Sequence, residues 1–294
     1  MTADSLHVAV AGGGSWGTAL AHVLAVAGHD VTLVLRDPAV ADAINKTREN
    51  PRYLPGRPLH PGVKASVSPD VLRKSNLLVL AVPCQHQRAW LASMRDAIAA
   101  ECIIVNASKG LENGTCLTMS RVVMEELAFL SPRYAVLSGP SFAAEVMDGQ
   151  PTAIVLGCED ENLGAGLRQI FSTSFFRCYS CNDVTGVEMG GALKNVMAIA
   201  AGIGDGLGLG SNARAALITR GLAELSRLGT AMGANPLTFM GLSGLGDLVL
   251  TCTGGLSRNR QVGLRLGKGE KLDDIVTSLG MVAEGVKTAE AARS

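Results

Sequence analysis

The chain has 294 residues, and its 26 basic residues balance 26 acidic ones, so it carries no formal net charge at pH 7. That balance removes the electrostatic grip needed to hold nucleic acid or an anionic membrane surface, and a small molecule is the expected partner. Mean hydropathy is positive at +0.26, but glycines break every apolar run short of the roughly 18 residues of a spanning helix, so no membrane span is expected.

A chain of this length suggests two domains with an active cleft between them. The segment 1–6 shows no basic stretch followed by an apolar one, which points to a cytoplasmic protein. Seven scattered cysteines fit reduced thiols in a reducing compartment. Cys178 and Cys181 form a C-x-x-C; without a second such pair, two residues of a strand are the simpler reading than zinc or redox chemistry.

In chain order, short apolar runs are predicted as strands at residues 7–11, 31–35, 77–82, 102–106, 135–137 and 152–156, with helical stretches between them and a last strand at 175–179. Wholly apolar strands alternating with helices imply a parallel sheet covered on both faces. From Asp183 onward helix formers dominate, interrupted by glycine-rich turns. The fold class is therefore α/β: a Rossmann-like doubly wound sheet over residues 1–182, followed by an all-helical domain over 183–294. No repeat or low-complexity tract is visible.

Gly12, Gly14 and Gly17 form G-x-G-x-x-G between the first strand and an Ala/Leu-rich helix. Such a turn needs a bare backbone facing a pyrophosphate and close helix packing, and the helix N-terminus adds free N–H groups and a positive dipole. The second strand runs into Arg36 and Asp37, about 20 residues on, where a ribose-reading side chain is expected. Arg36 can pair with a 2′-phosphate, as in NADPH, and Asp37 can accept from a free 2′-hydroxyl, as in NADH; NADPH is favoured and either is allowed.

Ligands of open α/β sheets lie off the carboxyl ends of the strands. Pro83, Lys109 in the segment 106–110, and the segment 138–142, with Ser141 as a helix cap, are therefore candidates. Lys194 lies in the middle of the predicted helix 183–202, whose second half is apolar nearly all round. Burial would lower its pKa toward the range useful for proton transfer, unless it is a structural lysine paired with Glu188 or Asp247. Asp247 is embedded among glycines and leucines, where it can orient Lys194 or a substrate hydroxyl. Ser257, Arg258 and Asn259 open a further helix; alone they suit an ordinary capped surface helix with basic residues, but with Asp247 a few residues upstream their hydroxyl, guanidinium, amide and helix dipole read as an anion site.

The segments GGGSWGTAL at 12–20, SKGLE at 108–112, SGPSFAAEV at 138–146, LKNVMAIAAGIGDGLGLGSNARAALITRGLAE at 193–224 and GLGDLVLTCTGGLSRNRQVG at 244–263 resemble the soluble NAD(P)-dependent glycerol-3-phosphate dehydrogenases. The resemblance spans most of the chain, in family order. It implies an oxidoreductase interconverting dihydroxyacetone phosphate and sn-glycerol 3-phosphate for glycerophospholipid synthesis, with Lys194 as proton donor and acceptor beside Asp247. Lys109, Gly139, Ser141, Asp247, Ser257, Arg258 and Asn259 are implied to contact substrate. Ser15, Trp16, Arg36, Lys109, Ala143, Arg258, Val282 and Glu284 are implied to contact the dinucleotide. It also implies further helices beyond Ser294, so the helical domain is read as shortened.

A reductase of the same architecture acting on a hydroxy acid and a non-catalytic NAD(P) sensor are the alternatives, the latter disfavoured because a sensor needs no buried lysine. The Ala- and Leu-rich helices after Asn212 suit a two-fold homodimer and a plain core equally well.

Overall fold

The computed structural model describes residues 5–279 and 284–293. Strands β1 (His7–Ala11), β2 (Asp30–Val34), β3 (Val63–Ser66), β4 (Leu77–Leu80), β5 (Ile103–Asn106), β6 (Tyr134–Ser138), β7 (Thr152–Gly157) and β8 (Phe176–Cys181) form one sheet in the order β3-β2-β1-β4-β5-β6-β7-β8. β1 pairs in parallel with both β2 and β4, as in Val8 opposite Val31 on one side and Leu77 on the other. The strand order reverses between those neighbours, and that reversal opens a crevice beyond the carboxyl ends of β1 and β4.

The helices are α1 (Ser15–Val26), α2 (Pro38–Thr47), α3 (Cys84–Met94), α4 (Met119–Glu126), α5 (Ala143–Met147), α6 (Glu161–Phe171), α7 (Val184–Gly206), α8 (Gly210–Ala231), α9 (Asp247–Thr253), α10 (Arg258–Gly267), α11 (Leu272–Leu279) and α12 (Glu284–Arg293). Among the described residues no helix is long and apolar enough to cross a membrane. The chain divides into two compact units: residues 1–108, 120–137 and 141–182 form the first, and 109–119, 138–140 and 183–294 the second.

In the first unit Val8, Val10, Leu33, Val79, Val105 and Leu156 from the sheet pack with Leu20 and Leu24 of α1 in one apolar cluster. Burial of both sheet faces explains why these strands read as unbroken apolar runs. β3 is the strand that the sequence pattern misses. Its four residues, Val-Lys-Ala-Ser, lie at the sheet edge, where Lys64 faces solvent and only Val63 is fully buried, so there is no apolar run to detect. β8 carries Cys178 and Cys181 three residues apart and hence on opposite faces of the strand.

In the second unit Met189, Leu193 and Ala198 of α7 pack with Leu225, Phe239, Leu248 and Cys252. Asp183 caps α7 by accepting from the Gly186 N–H at 2.8 Å, and its other oxygen accepts from the Thr238 hydroxyl at 2.6 Å, which joins the helix start to the 235–240 turn. The α7–α10 crossing is made by glycines. A Cβ on Gly202 would sit 2.1 Å from the Arg260 carbonyl oxygen, and one on Gly263 would sit 2.0 Å from that of Ile199. Only bare backbones permit that approach, and it brings the start of α10 beside the helix that carries Lys194.

Candidate active site

In the first unit the β1–α1 turn is built as its glycines require. Gly12 has a left-handed φ of 114°, and a Cβ there would lie 2.5 Å from the Ala81 carbonyl oxygen; a Cβ on Gly14 would meet nothing within 4 Å. The backbone therefore fits against β4 on one side and stands open on the other. As in any α-helix, the first N–H groups of α1, from Ser15, Trp16 and Gly17, have no acceptor within the helix, and the positive end of its dipole lies at this turn. Asn50, fully buried, braces this turn by donating to the Gly13 carbonyl at 2.9 Å and to the Thr18 hydroxyl at 2.8 Å. These residues fit a dinucleotide pyrophosphate: the open cradle at Gly14 is one that any side chain would fill.

Arg36 is exposed, and among the described residues it makes no hydrogen bond or ion pair. Asp37 is occupied differently from the sequence reading. It is the N-cap of α2, accepting from the Ala39 N–H at 3.0 Å, and it pairs with Arg52 at 3.5 Å. The expected cap by Ser141 is also corrected. The N-cap position of α5, which starts at Ala143, is held by Phe142 in an extended backbone, and Phe142 makes no side-chain cap hydrogen bond.

In the second unit a buried charge cluster forms from segments far apart in sequence. Lys109 donates to Asp247 Oδ2 at 2.6 Å and to the Gly139 carbonyl at 3.1 Å. Lys194 donates to Asp247 Oδ1 and, at 2.9 Å, to Thr251 Oγ1, whose own hydroxyl donates to the Asp247 carbonyl at 2.6 Å. Asp247 is thus an ion-pair partner of Lys194. Asp247 is only 1% exposed, and it sits at the first residue of α9, directly after a π-helical turn at Leu242–Gly246.

Two ammonium groups share this one carboxylate, so the cluster holds one excess positive charge when both are protonated. Desolvation pulls the Lys194 pKa down to about 8; the Lys109 charge adds to that effect and Asp247 opposes it. Desolvation works to raise the Asp247 carboxyl, but Lys109 and Lys194 together hold it below the usual range. Glu284, at the start of α12, is raised by desolvation against the opposing pull of Arg258, Lys109 and Lys194. Cys252, on α9, has its thiol pushed up to about 12 by burial and stays an inert packing residue.

Ser257 caps α10 by accepting from the Arg260 N–H at 3.3 Å, and Arg258 is exposed in the first turn. Asn259 is buried, and its Oδ1 accepts from the Gly285 N–H at 3.0 Å. Val282 lies outside the described residues. Ser15, Trp16, Arg36, Ser141 and Ala143 belong to the first unit, whereas Lys109, Gly139, Lys194, Asp247, Ser257, Arg258, Asn259 and Glu284 belong to the second.

Three side chains that support these sites were not predicted. Thr251 lies one helical turn after Asp247, so that spacing was a usable signal. Asp205 accepts from Arg214 at 2.8 Å and from Arg260 Nε at 2.8 Å, joining α7, α8 and α10; the sequence marks it only as an acidic residue in a glycine-rich run. Asn50 stands 37 residues from its Gly13 partner, with no local pattern to reveal it.

Two family models match the chain: the NAD-dependent glycerol-3-phosphate dehydrogenase N-terminus over residues 7–164 and the corresponding C-terminus over residues 183–294. A Desulfovibrio desulfuricans protein called glycerol-3-phosphate dehydrogenase [NAD(P)+] is 64% identical over 289 residues, which cover 98% of this chain and 87% of that one. A protein of the same name from Nitratidesulfovibrio vulgaris is 62% identical over 287 residues, covering 97% of this chain and 87% of its own. Among solved structures, glycerol-3-phosphate dehydrogenase from Coxiella burnetii superposes with a TM-score of 0.93 at 40% identity, covering 98% of this chain and 88% of that one.

Proposed function

The chain belongs to the NAD-dependent glycerol-3-phosphate dehydrogenase family, and from that membership we propose that it catalyses the reversible NAD(P)H-dependent reduction of dihydroxyacetone phosphate to sn-glycerol 3-phosphate. The observation that carries the mechanism is the pair of lysines on one buried carboxylate. An ammonium group with a pKa near 8 can release and regain a proton at physiological pH, and the excess positive charge favours an alkoxide over a neutral carbonyl oxygen.

When bound, the reduced nicotinamide supplies the hydride to the substrate's carbonyl carbon. Lys194 protonates the oxygen as negative charge develops on it, and in the reverse direction takes the hydroxyl proton. Asp247 keeps the Lys194 ammonium aimed and charged, while Thr251 fixes its second hydrogen bond. Lys109 adds a second cation beside the reacting oxygen and, through the Gly139 carbonyl, ties its loop to the substrate segment. Ser257, Arg258 and Asn259 hold the phosphate, which positions the carbonyl. Ser141 is assigned to the substrate as well.

Gly12, Gly14, Ser15, Trp16 and Gly17 are assigned to the pyrophosphate, and Arg36, Lys109, Ala143, Arg258, Val282 and Glu284 to the rest of the dinucleotide. NADPH is the preferred form on this reading. Arg36 stands exposed and unengaged among the described residues, while Asp37 is committed to capping α2. Residues 1–182 then carry the dinucleotide and 183–294 the substrate chemistry, in a cytoplasmic enzyme supplying glycerophospholipid synthesis.

The test follows the reduced-nicotinamide absorbance when dihydroxyacetone phosphate is added with NADPH and, separately, with NADH. Loss of absorbance, faster with NADPH, is expected. No loss with either, in a sample that binds NADPH, would overturn the assignment.

A further inference from the structure

The start of α12 meets the proposed phosphate site at one hydrogen bond. Gly285 donates its backbone N–H to Asn259 Oδ1 at 3.0 Å, in a buried setting where Asn259 is 9% exposed. A carboxamide has two unlike ends, and only its oxygen can accept from an N–H. The Gly285 bond therefore decides which end of Asn259 faces away from α12: the Nδ2 amide, a donor of two protons, which has no hydrogen-bond partner among the described residues.

We propose that Gly285 is a positioning residue that fixes the orientation of the Asn259 carboxamide, so that the side chain presents only donors to the phosphate of the substrate. The proposal rests on the reading of Asn259 as a phosphate ligand. With the amide reversed, its Nδ2 would face the Gly285 N–H, donor against donor, and its carbonyl would face an anion. Both contacts are unfavourable in a buried site, so one bond from α12 removes half of the orientations of a ligand located on α10.

Only glycine permits this contact. A Cβ at position 285 would stand 2.7 Å from the Asn195 carbonyl oxygen and 2.8 Å from Asn259 Oδ1. Any side chain must push α12 away from α7 or Asn259 out of its place. The Asn195 carbonyl belongs to the residue after Lys194, so the same close approach anchors α12 beside the proton-transfer helix.

The test uses the whole chain and four variants: Gly285→Ala, Asn259→Ala, the double variant, and Asn259→Asp. The readouts are KM for dihydroxyacetone phosphate, the inhibition constant of inorganic phosphate, and kcat, with far-UV circular dichroism reporting folding. Gly285→Ala is expected to raise KM and the phosphate inhibition constant by about tenfold while kcat changes less than about threefold. In the Asn259→Ala background the same change should raise both constants far less, because the group it positions is gone and only the Asn195 clash remains.

Asn259→Asp keeps an acceptor for Gly285 but turns a carboxylate oxygen toward the phosphate, so it should weaken phosphate more than Asn259→Ala does. An equal effect of Gly285→Ala in both backgrounds, or an Asn259→Asp variant that binds phosphate at least as well as Asn259→Ala, would overturn the proposal while leaving the site assignment standing. An Asn259→Ala variant with unchanged KM and phosphate inhibition would instead remove Asn259 from the phosphate site, and this inference with it.

Discussion

The glycine turn of the first unit and the Lys109–Asp247–Lys194 cluster of the second are both prepared for negative charge, but by different means. The turn uses backbone N–H groups and a helix dipole, which have no pKa and carry only partial charge. The cluster uses whole charges taken out of water, where each one alters the protonation of its neighbours. The first should therefore be indifferent to pH and intolerant of added carbon atoms. The second should be sensitive to pH and to any change of charge, and more tolerant of shape.

Replacing Lys194 by Met tests the second half of that contrast most severely. Turnover should fall by about 10² to 10⁴, while the melting temperature holds or rises, since a desolvated positive charge has been removed and Asp247 keeps Lys109 as its partner. A variant with ordinary turnover would remove Lys194 from the chemistry. Next in size is Asp205→Ala, which leaves Arg214 and Arg260 without their shared carboxylate. The expected loss is about 3 kcal/mol, read by denaturant unfolding; a loss within error of zero would show that α7, α8 and α10 do not depend on this network.

Gly12→Ala probes the turn. The left-handed backbone and the Ala81 carbonyl should together cost about 1 to 3 kcal/mol and weaken NADPH in a binding titration. The pH midpoint of the surviving activity should not move, and a moved midpoint would break the contrast between the two regions. Smallest is Arg36→Ala, expected to reduce the preference for NADPH over NADH by about tenfold; an unchanged ratio of kcat/KM would show that Arg36 does not read the 2′-phosphate.

The two regions also differ in how far sequence reasoning reaches them. The turn is contiguous, 12–17, and each glycine has a local reason, so its strand, loop and helix could be read together. Lys194 and Asp247 stood out because charged residues are rare in apolar surroundings, but nothing local indicated that Lys109 would share Asp247, 138 residues away. The α7–α10 approach has a local sign in the sequence: glycines four apart at 202 and 206, and again at 263 and 267, lie on one face of each helix. The Gly285–Asn259 bond, 26 residues apart, depends on tertiary packing alone, as does the bracing of Gly13 by Asn50. β3 was missed because an edge strand of four residues buries too little to leave a pattern.

In the proposed mechanism Lys194, lowered to a pKa of about 8, is the group that moves the proton. Its protonated form serves reduction and its neutral form serves oxidation, so the two directions must depend on pH with opposite sign. The direct measurement is kcat/KM against pH for dihydroxyacetone phosphate reduction and for sn-glycerol 3-phosphate oxidation, at saturating cofactor. The reduction limb should fall as pH rises through about 8 and the oxidation limb should rise through the same midpoint. Limbs of the same sign, or no limb between the ordinary carboxylate and lysine ranges, would contradict the account.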